Sequence, residues 1–285
     1  MRVTDFKKQT NMSILRRNNV KIFGKGERVL MFAHGFGCDQ VMWRYITPAF
    51  EENYKIVLFD YVGCGKSEIA AYDENRYTSL HGYALDIIEI CEELHLSNII
   101  LVGHSVSSMI GILASIQRPD IFNSLILVCP SSCYLNKDDY SGGFDRKDLE
   151  ELLQVMENNY IGWSDYLAPI VMKNSERPEL TEELTNSFCS MDHQITRNFA
   201  RVTFFSDNRK DLSKVRVPSL ILQCSQDDIA PERVGKFINE RLKESSIIFM
   251  KATGHCPHMS HPAETIQCMK DFIAQIAKPN KLQEF

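Results

Sequence analysis

The sequence predicts an α/β fold, a mostly parallel, doubly wound sheet with a four-helix cap inserted late in the chain. Three observations carry this. Runs of aliphatic residues with buried-strand character alternate with segments whose apolar residues recur at helical spacing. The alternation stops between about Tyr134 and Phe205, where only helical spacing remains. Finally, 285 residues with 44% hydrophobic content can bury one large core.

Taken in order, residues 1–12 are polar and read as loose, with Met12 a second candidate start. Val20-Lys-Ile-Phe and Val29-Leu-Met-Phe-Ala33, separated by Gly24-Lys-Gly-Glu, read as a hairpin leading into the first buried strand. The second run opens into His34-Gly-Phe-Gly-Cys-Asp39, a turn that calls for positive φ at Gly35 or Gly37 and frees backbone amides. Lys55-Ile-Val-Leu-Phe-Asp60 is the next strand. The following Gly63-Cys-Gly65 lacks the six-residue glycine fingerprint of a nucleotide site and reads as a structural turn. Apolar residues at 80, 83, 84, 87, 88, 91 and 94 then keep to one helical face, with acidic residues opposite.

The most informative stretch follows, Asn98-Ile-Ile-Leu-Val-Gly-His-Ser-Val-Ser-Ser-Met-Ile-Gly111. An aliphatic run breaks at Gly103 and resumes with helical spacing, which predicts strand, sharp turn and helix. A serine at the apex, Ser105, has its hydroxyl pushed clear of the backbone, and the amide of Val106 points to where a developing oxyanion would sit. The pattern is that of a nucleophile elbow, except that Ser107 stands where glycine is usual; a small local adjustment is expected. His104 should pack beneath the elbow, its side chain opposed to that of Ser105.

Beyond the stop at Gln117-Arg-Pro119, Asn123–Pro130 reads as another parallel strand. Leu149, Leu152, Leu153, Met156 and Tyr160, then Trp163, Tyr166, Leu167, Ile170 and Val171, recur at helical intervals and build the cap. The core is thus assigned to residues 1–133 and 206–285 and the cap to 134–205. Val217–Cys224 and Ser246–Met250 resume the sheet around a helix begun by Pro231-Glu-Arg. A last helix starts near Pro262, and the tail Lys278–Phe285 is expected to fray.

Composition narrows the function. The formal net charge is −5 and there is no basic block, which speaks against nucleic-acid binding. No apolar run has the length of a membrane span, and the first ten residues lack the apolar stretch of a signal peptide, so a cytoplasmic protein is expected. The nine cysteines are dispersed without a CxxC pair and read as reduced. A zinc site at Cys256 among His255, His258 and His261 would meet the rigid Pro257 and find no second ligand cluster, so no metal or cofactor is expected.

A serine hydroxyl needs an imidazole to take its proton and a carboxylate to fix the imidazole. After the strand ending at Cys224 comes Ser225-Gln-Asp-Asp-Ile-Ala-Pro231, and after that ending at Met250 comes Ala252-Thr-Gly-His-Cys-Pro-His258. Both loops should share the carboxyl edge of the sheet with Ser105. Asp227, four before Pro231, is favoured over Asp228 as the acid. His255, directly after Gly254, is favoured over His258 as the base; His258 is left a packing or hydrogen-bonding role nearby. The amide of Phe36 is the expected second oxyanion donor.

From about Ser13 to Ala277 the chain resembles the RsbQ-type α/β-hydrolases of Gram-positive bacteria, relatives of the plant karrikin and strigolactone receptors. The resemblance rests on His34-Gly-Phe-Gly-Cys-Asp-Gln40, Leu58-Phe-Asp-Tyr-Val-Gly63, Gly103-His-Ser-Val106, Cys133-Tyr-Leu-Asn136, Gly142-Gly-Phe144, Asn159-Tyr-Ile-Gly-Trp163, Phe204-Phe-Ser-Asp207, Asp211-Leu-Ser-Lys214 and Gly254-His-Cys-Pro-His-Met-Ser-His-Pro262. It implies a Ser105–His255–Asp227 triad, an oxyanion hole from the amides of Phe36 and Val106, and a V-shaped cap over a small apolar pocket lined by Tyr134, Phe144, Trp163 and Phe204. It also implies a slow hydrolase of a small hydrophobic ester or lactone that acts as a positive regulator of energy-stress signalling. The implied partner is a PAS-domain protein phosphatase that activates an alternative sigma factor. The triad alone equally suits a metabolic carboxylesterase without a partner; a binding scaffold with a vestigial triad is the third reading.

Overall fold

The computed structural model describes residues 12–277; the segments read as a loose start and a fraying tail lie outside that range, apart from Met12. In chain order the elements are α1 (Ile14–Arg17), β1 (Lys21–Phe23), β2 (Val29–Ala33), β3 (Lys55–Leu58), α2 (Leu80–Glu93), β4 (Ile99–His104), α3 (Val106–Gln117) and β5 (Phe122–Val128). They continue with α4 (Arg146–Asn158), α5 (Tyr160–Met172), α6 (Pro178–Cys189), α7 (His193–Phe204), β6 (Ser219–Ser225), α8 (Glu232–Arg241), β7 (Ser245–Thr253), α9 (Pro257–Ser260) and α10 (Pro262–Ile276). The sheet has seven strands in the order β1-β3-β2-β4-β5-β6-β7, parallel throughout except for β1 on β3. This is the predicted α/β-hydrolase architecture.

Strand alternation feeds two cores, one on each face of the sheet. Leu30, Phe32, Ile100, Val102, Ile126 and Val128 point to one, shared with α10 and the cap. Met31, Ile99, Leu101, Leu125 and Leu127 point to the other, covered by Tyr83 and Ile87 of α2 and Ile110 and Leu113 of α3. The central strands β2 and β4 are buried along their whole length, which is why they read as unbroken apolar runs.

The expected hairpin between the first two strands does not form. β1 pairs antiparallel with β3, Ile22 opposite Val57, and makes no ladder with β2. The reason lies in Gly24, whose φ is +90° and whose missing Cβ would sit 2.2 Å from the Tyr54 carbonyl. The glycine-rich turn is seated on residues 51–54, with the Lys25 amide donating to Glu51 O at 2.7 Å, and this sends β1 to the sheet edge.

Four helices, α4 to α7, lie between β5 and β6. Two of them start at side-chain caps. Asn159 caps α5 by accepting from the Gly162 amide at 3.0 Å, and Asp192 caps α7 by accepting from the Ile195 amide at 2.9 Å. Leu149, Leu153 and Met156 form the buried stripe of α4. That stripe joins Trp163, Leu167, Leu180, Leu184 and Phe204 in the same cluster as the sheet residues, so the cap sits on the core as a continuation of it. Among the described residues no helix is long and apolar enough to cross a membrane.

Candidate active site

Ser105 is the hinge between β4 and α3, with φ +56° and ψ −122°. A left-handed φ at a non-glycine residue is strained, and here it is held by the Ser105 amide donating to Val128 O at 2.8 Å. The side chain is thereby lifted off the end of the sheet, as the elbow pattern requires.

The three loops that follow β4, β6 and β7 bring their side chains together. Ser105 Oγ donates to His255 Nε2 at 2.7 Å, and His255 Nδ1 donates to Asp227 Oδ2 at 2.7 Å. All three residues are buried. The other Asp227 oxygen accepts from the amides of Ile229 and Ala230, each at 2.9 Å, so the carboxylate is fixed on both sides. Gln223 supports this loop from below by donating to Ala230 O at 2.8 Å. Gly254, at φ +78°, lies against the end of α5, where a Cβ would come within 2.5 Å of Met172 O. The His255 amide donates to Val171 O at 2.8 Å, so α5 of the cap helps hold the imidazole. Cys129 Sγ lies within 4.8 Å of the Asp227 and His255 ligand atoms, but those atoms are already engaged by Ser105, each other and the loop amides.

The neighbouring side chains lie apart from the Ser105–His255–Asp227 chain. Asp228 is half exposed and pairs with Lys173 at 2.6 Å, away from His255. His104 lies beneath His255 and donates from Nε2 to its carbonyl at 2.8 Å. His258 packs between His104 and Trp43, with ring centroids at 4.4 and 4.6 Å, and both of its nitrogens lack a hydrogen-bond partner. It is a packing residue and not a hydrogen-bonding one. Burial pushes its pKa down to about 3 and lowers those of His34 and His104, so this layer of imidazoles is neutral.

The turn after β2 is anchored from two directions. His34 donates from Nδ1 to Gly35 O at 2.9 Å and accepts from the Tyr61 amide at 3.2 Å. Buried Asp60 accepts from the Gln40 amide, the Lys66 amide and Asn19 Nδ2 at 2.7–2.9 Å, tying this turn to the one after β3. The positive φ falls at Gly37. Among the described residues, the amides of Phe36 and Val106 donate to no protein acceptor, which leaves both free for an oxyanion. At Ser107, the hydroxyl donates to His34 O and meets the Tyr61 hydroxyl at 2.9 Å, a contact that sequence reasoning did not foresee.

Over Ser105 lies a cavity of about 30 Å³, room for little more than a water or two. Phe36, Tyr134 and Phe204 line it, and the Tyr134 hydroxyl stands 3.4 Å from Ser105 Oγ. Burial raises the Tyr134 phenol well above its ordinary pKa, so its proton stays on. Phe144 and Trp163 do not line it. Phe144 packs behind Phe204 at 6.5 Å, and Trp163 packs behind Phe36 and Phe188 at 6.2 and 5.2 Å, so they form a second layer. The wall also includes Cys38, Leu167, Val171, Leu184, Phe188, Thr203, Ile229 and Cys256, none of them expected from the sequence to line it. A larger open groove, bordered by Tyr77, His81, Arg146 and Arg201, contains none of Ser105, His255 or Asp227.

Residues 30–267 match the model of the alpha/beta hydrolase family. The chain is 39% identical to the karrikin insensitive 2 receptor IA of Petunia hybrida, over 90% of this chain and 93% of that one. It is 38% identical to a strigolactone esterase of Arabidopsis thaliana, over 90% and 97%. Among solved structures, a hydrolase from Oleispira antarctica superposes with a TM-score of 0.90 at 44% identity, covering 92% of this chain and 96% of that one.

Proposed function

The chain belongs to the alpha/beta hydrolase family, and on that premise we propose that Ser105, His255 and Asp227 act as a catalytic triad on the ester or lactone bond of a small hydrophobic molecule. It is an ester-acting hydrolase, in keeping with relatives named as esterases and hydrolases. The observation that carries the assignment of roles is the unbroken chain of 2.7 Å hydrogen bonds from Ser105 through His255 to Asp227.

The chemistry follows from the geometry. Ser105 Oγ attacks the carbonyl carbon as His255 Nε2 takes its proton, and Asp227 stabilises the imidazolium. The carbonyl oxygen becomes an oxyanion facing the amides of Phe36 and Val106. Collapse expels the alcohol, which receives the proton from His255 and leaves an acyl-Ser105. Water, deprotonated by His255, then attacks the acyl carbon, and the proton returns to Ser105 as the acid departs. The apolar part of the walls discriminates only weakly among substrates of similar shape. Labelling by a fluorophosphonate tests the assignment: the wild type takes one equivalent on Ser105 and Ser105→Ala takes none.

We further propose that this turnover is slow and serves signalling, in the cytoplasm, through a protein partner. Support comes from relatives that are named as receptors and from the cavity, which must open before any ligand larger than water enters. The resemblance to the RsbQ-type proteins supports energy-stress signalling with a PAS-domain phosphatase as the partner. Replacing the chain by its Ser105→Ala variant in the host cell tests this. Loss of the transcriptional response to energy depletion is the expected result, and an unchanged response would remove the signalling role.

A further inference from the structure

The walls of the cavity hold one hydroxyl that nothing in the protein satisfies. Thr203, on the last turn of α7, is 1% exposed, and its Oγ1 is buried without a hydrogen-bond partner. Its surroundings in the cavity are apolar: Leu167, Val171, Leu184, Phe188, Phe204 and Ile229. A threonine in a helix ordinarily bonds the carbonyl one turn back. Thr196 of the same helix does so, to Asp192 O at 2.6 Å, and Ser164 of α5 bonds Tyr160 O at 3.0 Å. Thr203 does not.

Folding alone gives no reason for this group. Valine has the same shape, and an unsatisfied buried hydroxyl is unfavourable beside it. The other nitrogen and oxygen groups at the cavity are accounted for, and Cys38 and Cys256 add only weakly polar thiols. Ser105, Tyr134 and His255 belong to the hydrogen-bonded chain already described. His104 Nδ1 is also unpartnered, but it faces the backbone of Gly35, where a Cβ would lie only 2.4 Å away. Thr203 carries the one hydroxyl of the lining that no protein group satisfies.

We propose that Thr203 is a specificity-determining residue that hydrogen-bonds an oxygen of the substrate outside the scissile carboxyl group. The substrate class is then a small, mostly apolar ester or lactone carrying a second ether, carbonyl or hydroxyl oxygen in its acyl part. A site built to bond such an oxygen rejects the all-carbon analogue more strongly than an apolar wall could. The inference rests on the hydrolase reading above and names the substrate feature that reading leaves open.

The test compares p-nitrophenyl pentanoate with its two oxa-isosteres, the ethoxyacetate and the 3-methoxypropanoate, on wild type, Thr203→Val and Thr203→Ser. The ratio of kcat/KM for each oxa-ester to that for pentanoate cancels any general loss of folding or activity and intrinsic reactivity is removed by comparing variants. In the wild type the ratio for at least one oxa-ester is expected to exceed that in Thr203→Val by about fivefold or more, with Thr203→Ser restoring most of it. Ratios unchanged between wild type and Thr203→Val overturn the role of Thr203 and leave the hydrolase reading intact. Absence of turnover of all three esters by the wild type overturns the hydrolase reading and this inference with it.

Discussion

The Tyr61 hydroxyl lies 2.9 Å from that of Ser107, which in turn donates to the carbonyl of His34. Ser107 occupies the elbow position where glycine is usual, and all three residues are buried. The added hydroxymethyl is therefore a tie between the turns after β2, β3 and β4. Ser107→Gly, although it restores the common pattern, is expected to destabilise the protein by about 1–3 kcal/mol, because it strands the Tyr61 hydroxyl in the core. Thermal or urea unfolding checks this, and combining it with Tyr61→Phe should recover part of the loss. A Ser107→Gly variant as stable as the wild type would mean that the tie contributes nothing.

Asp227 and Asp228 are adjacent, yet only Asp227 reaches the imidazole. Asp227→Asn is expected to lower kcat on the order of 10⁴-fold, since the amide no longer fixes the Nδ1-protonated imidazole. Asp228→Asn removes an exposed ion pair with Lys173 and should leave kcat within about twofold and stability within about 1 kcal/mol. Steady-state kinetics on one chromogenic ester decide between the two.

The cap is latched to the core at Arg44 and Glu183, a two-pronged pair with both N–O distances at 2.6 Å. Beside it Ser187 of α6 donates to Gly37 O at 2.8 Å, so the latch also touches the turn that carries Phe36. Both charged groups are about one-third exposed, which limits their worth to global stability to about 0–1 kcal/mol. Their effect should appear in access to the closed cavity. Glu183→Gln is expected to raise kcat/KM for a bulky ester by roughly threefold, and that for p-nitrophenyl acetate by less. An equal change for both esters would assign the pair no gating role.

Acid should unfold the protein through its buried imidazoles. The pKa of His258 is about 3 in the folded protein against an ordinary value of 6.5, because burial disfavours the charged ring. Its folded pKa lies below its unfolded one, so the stability it supports is complete above pH 6.5 and is lost as pH falls toward 3. Within that window the unfolded chain holds one more proton, giving a slope of about 1.4 kcal/mol per pH unit. Burial lowers His34 and His104 in the same direction. Urea midpoints between pH 4 and 7 should show a shallower fall for His258→Phe than for the wild type; parallel curves would contradict this.

Much of the site was legible because its chemistry is local. Gly103-His-Ser-Val106 sets a strand-to-helix turn by itself, and the loops after β6 and β7 must open on the same sheet edge as Ser105. The choice of Asp227 and His255 over their neighbours follows from turn geometry within those loops. What stayed hidden depends on partners distant in sequence. Whether Trp163 lines the cavity or stands behind Phe36 is decided by packing between α5, α6 and the β2 turn. The course of β1 is not readable locally, because Gly24 answers to the Tyr54 carbonyl and not to its own flanking strands. Likewise Asp86, fully buried between Arg17 and Arg76, looks in sequence like one more acidic residue on the solvated face of α2.

The central claim is that Ser105, His255 and Asp227 form a working triad, and intact-protein mass spectrometry during p-nitrophenyl acetate turnover tests it most directly. The expected result is a single acetyl adduct on the wild-type protein that maps to Ser105, no adduct on Ser105→Ala, and loss of p-nitrophenol release in both Ser105→Ala and His255→Ala. Release that persists in Ser105→Ala, or an adduct on another residue, would contradict it.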